Sequence, residues 1–300
     1  MNMALKVENL RKTYGELVAV DDLSFCMDSP GVFGLIGTNG AGKTTTIRMM
    51  LGLLSADAGT ALWDGRPIRR ETLSFGYMPE ERGIYMKNRV GEQLTYFGML
   101  KGMSRADAKA SVSKWLDRLG VSEYADKNAE KLSKGNQQKI QLIAALVNDP
   151  ILVVLDEPFS GLDPVNADLL REVIGEMVNA GKFVVMSSHQ MAVVEEYCES
   201  LVLLHRGRAV LSGSLRGIKA GYGHTNLVVS GVGDTGEIAQ NLGLVKLRDR
   251  ADETEYRITG DEMAQAFLRQ LVAAGKYPAR YEIREPSLNE IFIEKAGDDR

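Results

Sequence analysis

Between Gly37 and Thr44 the chain reads GTNGAGKT, a spacing of glycine, lysine and threonine suited to phosphate groups. The glycines let the backbone curl so that successive N–H groups face phosphate oxygens. A helix beginning at Lys43 would bring its positive end to the same spot. Lys43 adds a charge for β- and γ-phosphates, and Thr44 a hydroxyl for Mg2+. Gly37, Asn39, Gly40, Gly42, Lys43, Thr44 and Thr45 are the candidate nucleotide-binding residues of this loop. Further on, ILVVLDEP (Ile151 to Pro158) places Asp156 and Glu157 after an apolar run. One such carboxylate can hold Mg2+ through water, and the next can orient and deprotonate an attacking water. By itself an acidic pair after a strand is explained as well by a helix cap or a solvated turn. The phosphate loop upstream favours the chemical reading.

These residues need a scaffold, and the surrounding pattern supplies one. Gly31 to Ile36 predicts a strand running into the glycine turn, and Lys43 begins a helix. Ser104, with Asp107 three residues on, resembles a capping box. Leu142, Ile143, Leu146 and Val147 form an apolar helical stripe. Ile151 to Leu155 and Phe183 to Met186 read as fully buried strands. Between them Asp163 and Pro164 open a helix that Gly181 closes. The result is an α/β unit with a largely parallel sheet, its acid pair at the strand end where such sheets place ligands.

Around Arg216 to His224 the pattern loosens, so the expected domains are 1–220 and 221–300. The second reads βαββαβ. Its strands are Leu227 to Val229, Leu244 to Leu247, Glu255 to Ile258 and Arg280 to Ile283, and its helices Gly236 to Leu242 and Asp261 to Ala274. Ser287 and Glu290 form a capping box for a last helix. That order predicts a small ferredoxin-like α+β domain.

Of 300 residues, 44% are apolar and 25% charged, ordinary for a globular chain with ample core. A net charge of −4 argues against nucleic acid as a partner. Arg66, Arg69 and Arg70, broken by Pro67 and Ile68, read as a solvated turn. Cys26 and Cys198 lack metal-ligand spacing and read as reduced cytosolic thiols. No apolar run approaches the roughly 20 residues that span a bilayer. Work at a membrane would need another chain to cross it.

The stretch between the two clusters narrows the class within the P-loop NTPases. LSKGNQQK (Leu132 to Lys139) resembles the signature motif of ABC ATPases, and SGLD (Ser160 to Asp163) their D-loop. His189 resembles their switch histidine, and Tyr14, in KTYG, the aromatic that stacks on adenine. Each has a plain explanation by itself: Ser133 and Asp163 would cap helices, and Tyr14 would be a turn aromatic. Their shared order over about residues 3–216 carries the resemblance. GYMPEERGIYMKNRV and the ending EPSLNEIFIE are similar to a subgroup of exporter ATPases with a small C-terminal domain. These pair with ABC-2-type permeases and are associated with sodium, drug or peptide-antibiotic export.

The resemblance implies an ABC ATPase domain with a helical subdomain at about 85–148. It implies ATP and Mg2+ held between the phosphate loop of one copy and Ser133, Gly135 and Asn136 of another, in a homodimer or heterodimer. Thr44, Asp156 and Glu80 would serve the metal, Glu157 would activate water, and His189 would hold the γ-phosphate in register. Closure of the pair would drive a separate ABC-2-type transmembrane permease, with this chain cytoplasmic and peripheral on the inner face of the cell membrane. Two departures bear on this. The usual LSGGQ becomes LSKGN, with the glutamine shifted to Gln137, and Glu80 stands where the coupling loop normally carries glutamine. A soluble ATPase acting on ribosomes or DNA is the competing reading. The single phosphate loop and the lack of sustained heptads weigh against it.

Overall fold

β1 (Leu5–Tyr14) and β2 (Leu17–Met27) mix buried and exposed positions, as strands with one wet face do. β3 (Gly31–Gly37) is buried throughout and runs into the loop before α1 (Lys43–Met50). β4 (Ala58–Trp63), β5 (Arg66–Pro67) and β6 (Phe75–Met78) follow. Next come α2 (Val90–Leu100), α3 (Arg105–Arg118) and α4 (Lys134–Leu146). They precede β7 (Leu152–Asp156), α5 (Pro164–Asn179), β8 (Phe183–Ser188), α6 (Met191–Tyr197), β9 (Ser200–His205) and β10 (Arg208–Ser214). The computed structural model describes residues 5–69, 72–81, 83–250 and 252–297, and these divide into two units, 1–213 and 214–300.

Two sheets build the first unit. One has the order β2-β1-β4-β5, with β1 antiparallel to both neighbours. The other runs β10-β9-β3-β8-β7-β6, with its inner pairs parallel. Their apolar faces meet in one core containing Leu5, Leu23, Phe33, Ile47, Val154 and Val185. The antiparallel sheet was not foreseen from the pattern; the parallel one was. Ser104 accepts the Asp107 N–H at 3.1 Å, and Asp163 accepts that of Asn166 at 3.0 Å, so both predicted caps are formed. Leu94 of α2, Val112 and Leu116 of α3 and Ile143 of α4 are buried, and the three helices pack against one another. Arg66 and Arg69 are exposed, Arg66 within β5 rather than in a plain turn; Arg70 lies outside the described residues. Cys198 packs beneath Gly34, and burial pushes its thiol up to about 12, so it is inert. No described helix is long and apolar enough to cross a membrane.

The second unit opens with α7 (Leu215–Tyr222), where the sequence pattern had suggested a loose linker. Ser214 caps it by accepting the Gly217 N–H at 3.1 Å. Two glycines hide its period, but Leu215, Ile218 and Tyr222 still recur at helical spacing. β11 (Asn226–Ser230), α8 (Gly236–Asn241), β12 (Val245–Arg250), β13 (Glu253–Arg257), α9 (Asp261–Ala273), β14 (Arg280–Arg284) and α10 (Leu288–Gly297) complete the chain. The sheet is antiparallel in the order β12-β13-β11-β14, the ferredoxin-like arrangement that the βαββαβ order predicts. Leu227, Tyr256, Phe267 and Leu271 fill its core.

Candidate nucleotide site

Parallel strands deliver their carboxyl ends to one edge, and the site is built along that edge. At the end of β3 the chain turns through Gly37 to Gly42 into α1. Gly42 sits at φ 102°, and a Cβ there would lie 2.5 Å from the Ala19 carbonyl oxygen, so only glycine fits. Asn39 and Gly40 are exposed at the loop's crest. Gly42 offers no side chain to cap α1, which leaves the first-turn N–H groups of Lys43, Thr44 and Thr45 open to an anion.

Lys43 is buried. Its Nζ donates to the Gly37 carbonyl at 2.8 Å and the Thr38 carbonyl at 3.3 Å. It also faces Glu157 Oε1 at 3.1 Å, an ion pair without an aligned hydrogen bond. Thr44 Oγ1 donates to Asp156 Oδ2 at 2.9 Å. Asp156 and Glu157 are 1% and 5% exposed. Burial raises the Asp156 pKa, and hydrogen bonds from Ser187 and Thr44 oppose that rise without cancelling it. Ser187, at the end of β8, ties the acid pair together. Its hydroxyl donates to Asp156 Oδ1 at 2.5 Å and accepts the Glu157 N–H at 2.8 Å. Glu157 is held at φ 52°, a left-handed conformation that costs a non-glycine residue about 1–3 kcal/mol. His189 Nδ1 lies 2.8 Å from Glu157 Oε2. Lys43, Thr44, Asp156, Glu157 and His189, far apart in sequence, therefore form one constellation.

A hydroxyl and a carboxylate side by side are hard oxygen donors. Among the described residues no cluster of three or more His, Cys, Asp or Glu could cage a metal. That donor set fits Mg2+, which keeps several waters and shares its remaining positions with phosphate oxygens.

The other predicted residues lie elsewhere. Ser133 caps α4 by accepting the Asn136 N–H at 3.3 Å. Gly135 packs so close to α5 that a Cβ would be 3.0 Å from Asn166 Nδ2. The Asn136 side chain hydrogen-bonds Tyr124, and among the described residues none of these contacts reaches the phosphate loop. Glu80 is exposed, two residues past the end of β6. Because β6 pairs with β7 at Met78 and Leu155, its loop leaves the sheet beside the acid pair. Tyr14, at the end of β1, is 50% exposed. Sequence reasoning missed Ser187, and also Gln138 and Gln141 of α4. Gln138 Nε2 donates to the Pro158 carbonyl at 2.5 Å, and Gln141 Nε2 to the Glu81 carbonyl at 3.0 Å. The paired serines after an apolar strand were the available signal for the first; the glutamines gave none beyond their position on the predicted helix.

Comparison with known proteins identifies the family. The ABC transporter family model matches residues 20–160, and the DrrA1-3-like ATP-binding protein C-terminal domain matches residues 213–296. The uncharacterized ABC transporter ATP-binding protein YhaQ of Bacillus subtilis (strain 168) is 42% identical, with 98% of each chain covered. The Nod factor export ATP-binding protein I of Cupriavidus metallidurans is 33% identical over 99% of this chain and 98% of its own length. A solved ATP-binding subunit of an ABC transporter superposes with a TM-score of 0.67 at 32% identity, covering 73% of this chain and 92% of that one. The chain belongs to the ATP-binding proteins of ABC transporters and is an ATPase of that family with a DrrA-like C-terminal domain.

Proposed function

We propose that this chain powers an exporter by coupling ATP-driven closure of a head-to-tail pair to a separate ABC-2-type permease. The observation that carries the pairing is the division of the site. Lys43, Thr44, Asp156, Glu157 and His189 converge at one sheet edge, while Ser133, Gly135 and Asn136 form a second helix start with contacts to Asn166 and Tyr124 rather than to the phosphate loop. A second copy, or a second ATP-binding subunit, would supply that start to the γ-phosphate. The export direction draws on relatives named for Nod factor export and for linearmycin resistance, the latter 28% identical in Bacillus subtilis.

In this reading Tyr14 stacks on adenine and the N–H groups around Asn39, Gly40, Gly42 and Thr45 take the phosphates. Thr44 and Asp156 hold Mg2+, which when bound neutralises phosphate charge. Glu157 accepts a proton from the attacking water as its oxygen bonds to the γ-phosphorus and the bond to the β–γ bridging oxygen breaks. His189, beside Glu157, keeps that carboxylate and the γ-phosphate in register. Glu80 takes the coupling role of the usual glutamine. The chain sits on the cytoplasmic face of the membrane through its permease, and nucleic acid is not a partner.

The test is recovery of partners on tagged Glu157→Gln chain with Mg-ATP from gently solubilised native membranes. A polytopic membrane protein is the expected partner. Recovery of ribosomes or nucleic acid alone would overturn the proposal in favour of a soluble ATPase. For Glu80, Glu80→Gln should alter permease-stimulated ATP turnover; an unchanged rate and unchanged transport would remove any special part for its charge.

A further inference from the structure

β1 loses its neighbour before it reaches Tyr14. Its last backbone pair with β4 is Arg11 with Ala58, so on that edge Lys12, Thr13 and Tyr14 have no strand beside them among the described residues. The side chain of Asp57, one residue before β4, takes over. Asp57 Oδ2 accepts the Thr13 N–H and the Thr13 hydroxyl, both at 2.7 Å. Asp57 Oδ1 meets Lys12 Nζ at 2.7 Å, and the Asp57 N–H returns to the Arg11 carbonyl at 2.9 Å. Successive strand residues normally point to opposite faces. A register shift between Lys12 and Thr13 lets both reach one carboxylate. The Lys12 ammonium, further fixed by the Ser55 carbonyl at 2.9 Å, comes to 5.7 Å from the centroid of the Tyr14 ring. It thereby occupies one face of an otherwise exposed ring. Hydrogen bonds from Lys12, then Thr13, pull the Asp57 pKa down to about 2, so the clamp is charged at any physiological pH.

We infer that Asp57, acting through Lys12 and Thr13, is a positioning residue for nucleobase recognition: it fixes the Tyr14 ring so that the face away from Lys12 is presented to the base. This rests on the reading of Tyr14 as the adenine platform. The two can be tested apart with ADP and inorganic pyrophosphate, neither of which the protein consumes by hydrolysis of a γ-phosphate. Both carry the β-phosphate chemistry, but only ADP has a base. Full-length variants are titrated with each ligand, and the readout is the ratio of the two Kd values.

Tyr14→Ala should weaken ADP about tenfold, the scale of one lost base stack, and leave pyrophosphate nearly unchanged. Asp57→Ala and Lys12→Met should weaken ADP about threefold, again sparing pyrophosphate, with Asp57→Asn between wild type and Asp57→Ala. A purely structural staple would lower the melting temperature without moving the ratio, because partial unfolding changes the active fraction and not the preference. If Tyr14→Ala collapses the preference while Asp57→Asn and Lys12→Met leave it intact, the inference fails and the base platform stands. If Tyr14→Ala itself leaves the ratio untouched, the platform fails and the inference with it.

Discussion

The two units bury charged and polar groups to opposite ends. In the first, Lys43, Asp156 and Glu157 are nearly sealed from solvent yet incompletely matched: Glu157 Oε1 has an ion-pair partner but no aligned hydrogen bond, and its backbone is held at φ 52°. In the second, Asn226 and Glu255 are as deeply buried, but the network around them closes. Asn226 Nδ2 donates at 2.8 Å to both Glu255 Oε1 and Glu290 Oε1. Arg284 pairs with Glu255, and Ser287 bonds Glu290 through its N–H at 2.8 Å and its hydroxyl at 2.7 Å. A closed network fixes a fold, here seating α10 against β11 and β13. An open, strained one keeps hydrogen-bonding capacity for a reacting partner.

The largest effect that would separate the two belongs to Glu157. Glu157→Gln should lower the ATP hydrolysis rate by about a hundredfold or more, with ATP affinity retained and little change in the melting curve. Steady-state phosphate release alongside nucleotide binding checks this. A large loss of stability with hydrolysis kept would reverse the roles assigned to the two networks. In the second unit, Asn226→Leu removes the amide that two carboxylates share. It should cost that unit about 2–3 kcal/mol. Both tryptophans, Trp63 and Trp115, lie in the first unit, so urea unfolding should show an early loss of far-UV circular dichroism with the tryptophan transition in place.

How legible each region was from sequence follows from how local its signals are. β3, β7 and β8 are short apolar runs buried at every position, and the loop and acid pair at their ends could be read directly. β1 and β2 carry charges between their apolar residues, as in LKVENLRKTY. Their partly wet face dilutes the pattern, and the sheet they form was missed. Gly217 and Gly221 disguised α7 in the same way. Ser187 is tied to the acid pair by contacts to residues about thirty positions earlier, a relation no local window contains. The closed network of the second unit was legible only at Ser287 and Glu290, where the capping box is local. Glu255 reads as an ordinary strand residue, and Asn226 falls just before the expected strand Leu227 to Val229.

A smaller effect tests whether Ser187 belongs to the open network or merely packs at the end of β8. Ser187→Ala removes the donor to Asp156 and the acceptor for the Glu157 N–H, and frees the turn that holds Glu157 in its left-handed conformation. Loss of such a supporting partner should reduce hydrolysis about tenfold, and the Mg2+ concentration for half-maximal rate should rise because Asp156 is less well oriented. Stability should change less than in Asn226→Leu. Equal losses in the two variants would mean that Ser187 is structural as well.

The smallest effect is the acid response of the closed network. Burial by itself would raise the Glu290 pKa, but the combined hydrogen bonds from Ser287 and Asn226, with the charge of Arg284, outweigh it and hold the value below the ordinary one. A carboxyl whose folded pKa is depressed contributes stability that is present above its unfolded pKa, about 4.3 for glutamate, and is lost as pH falls through the folded value. The circular-dichroism unfolding midpoint of the second unit should therefore be flat near neutrality and fall below about pH 4.3. Glu290→Gln keeps the shape of the group but cannot ionise, so its midpoint should start lower and lose that acid slope. A slope that survives the substitution would assign the acid response to another carboxyl.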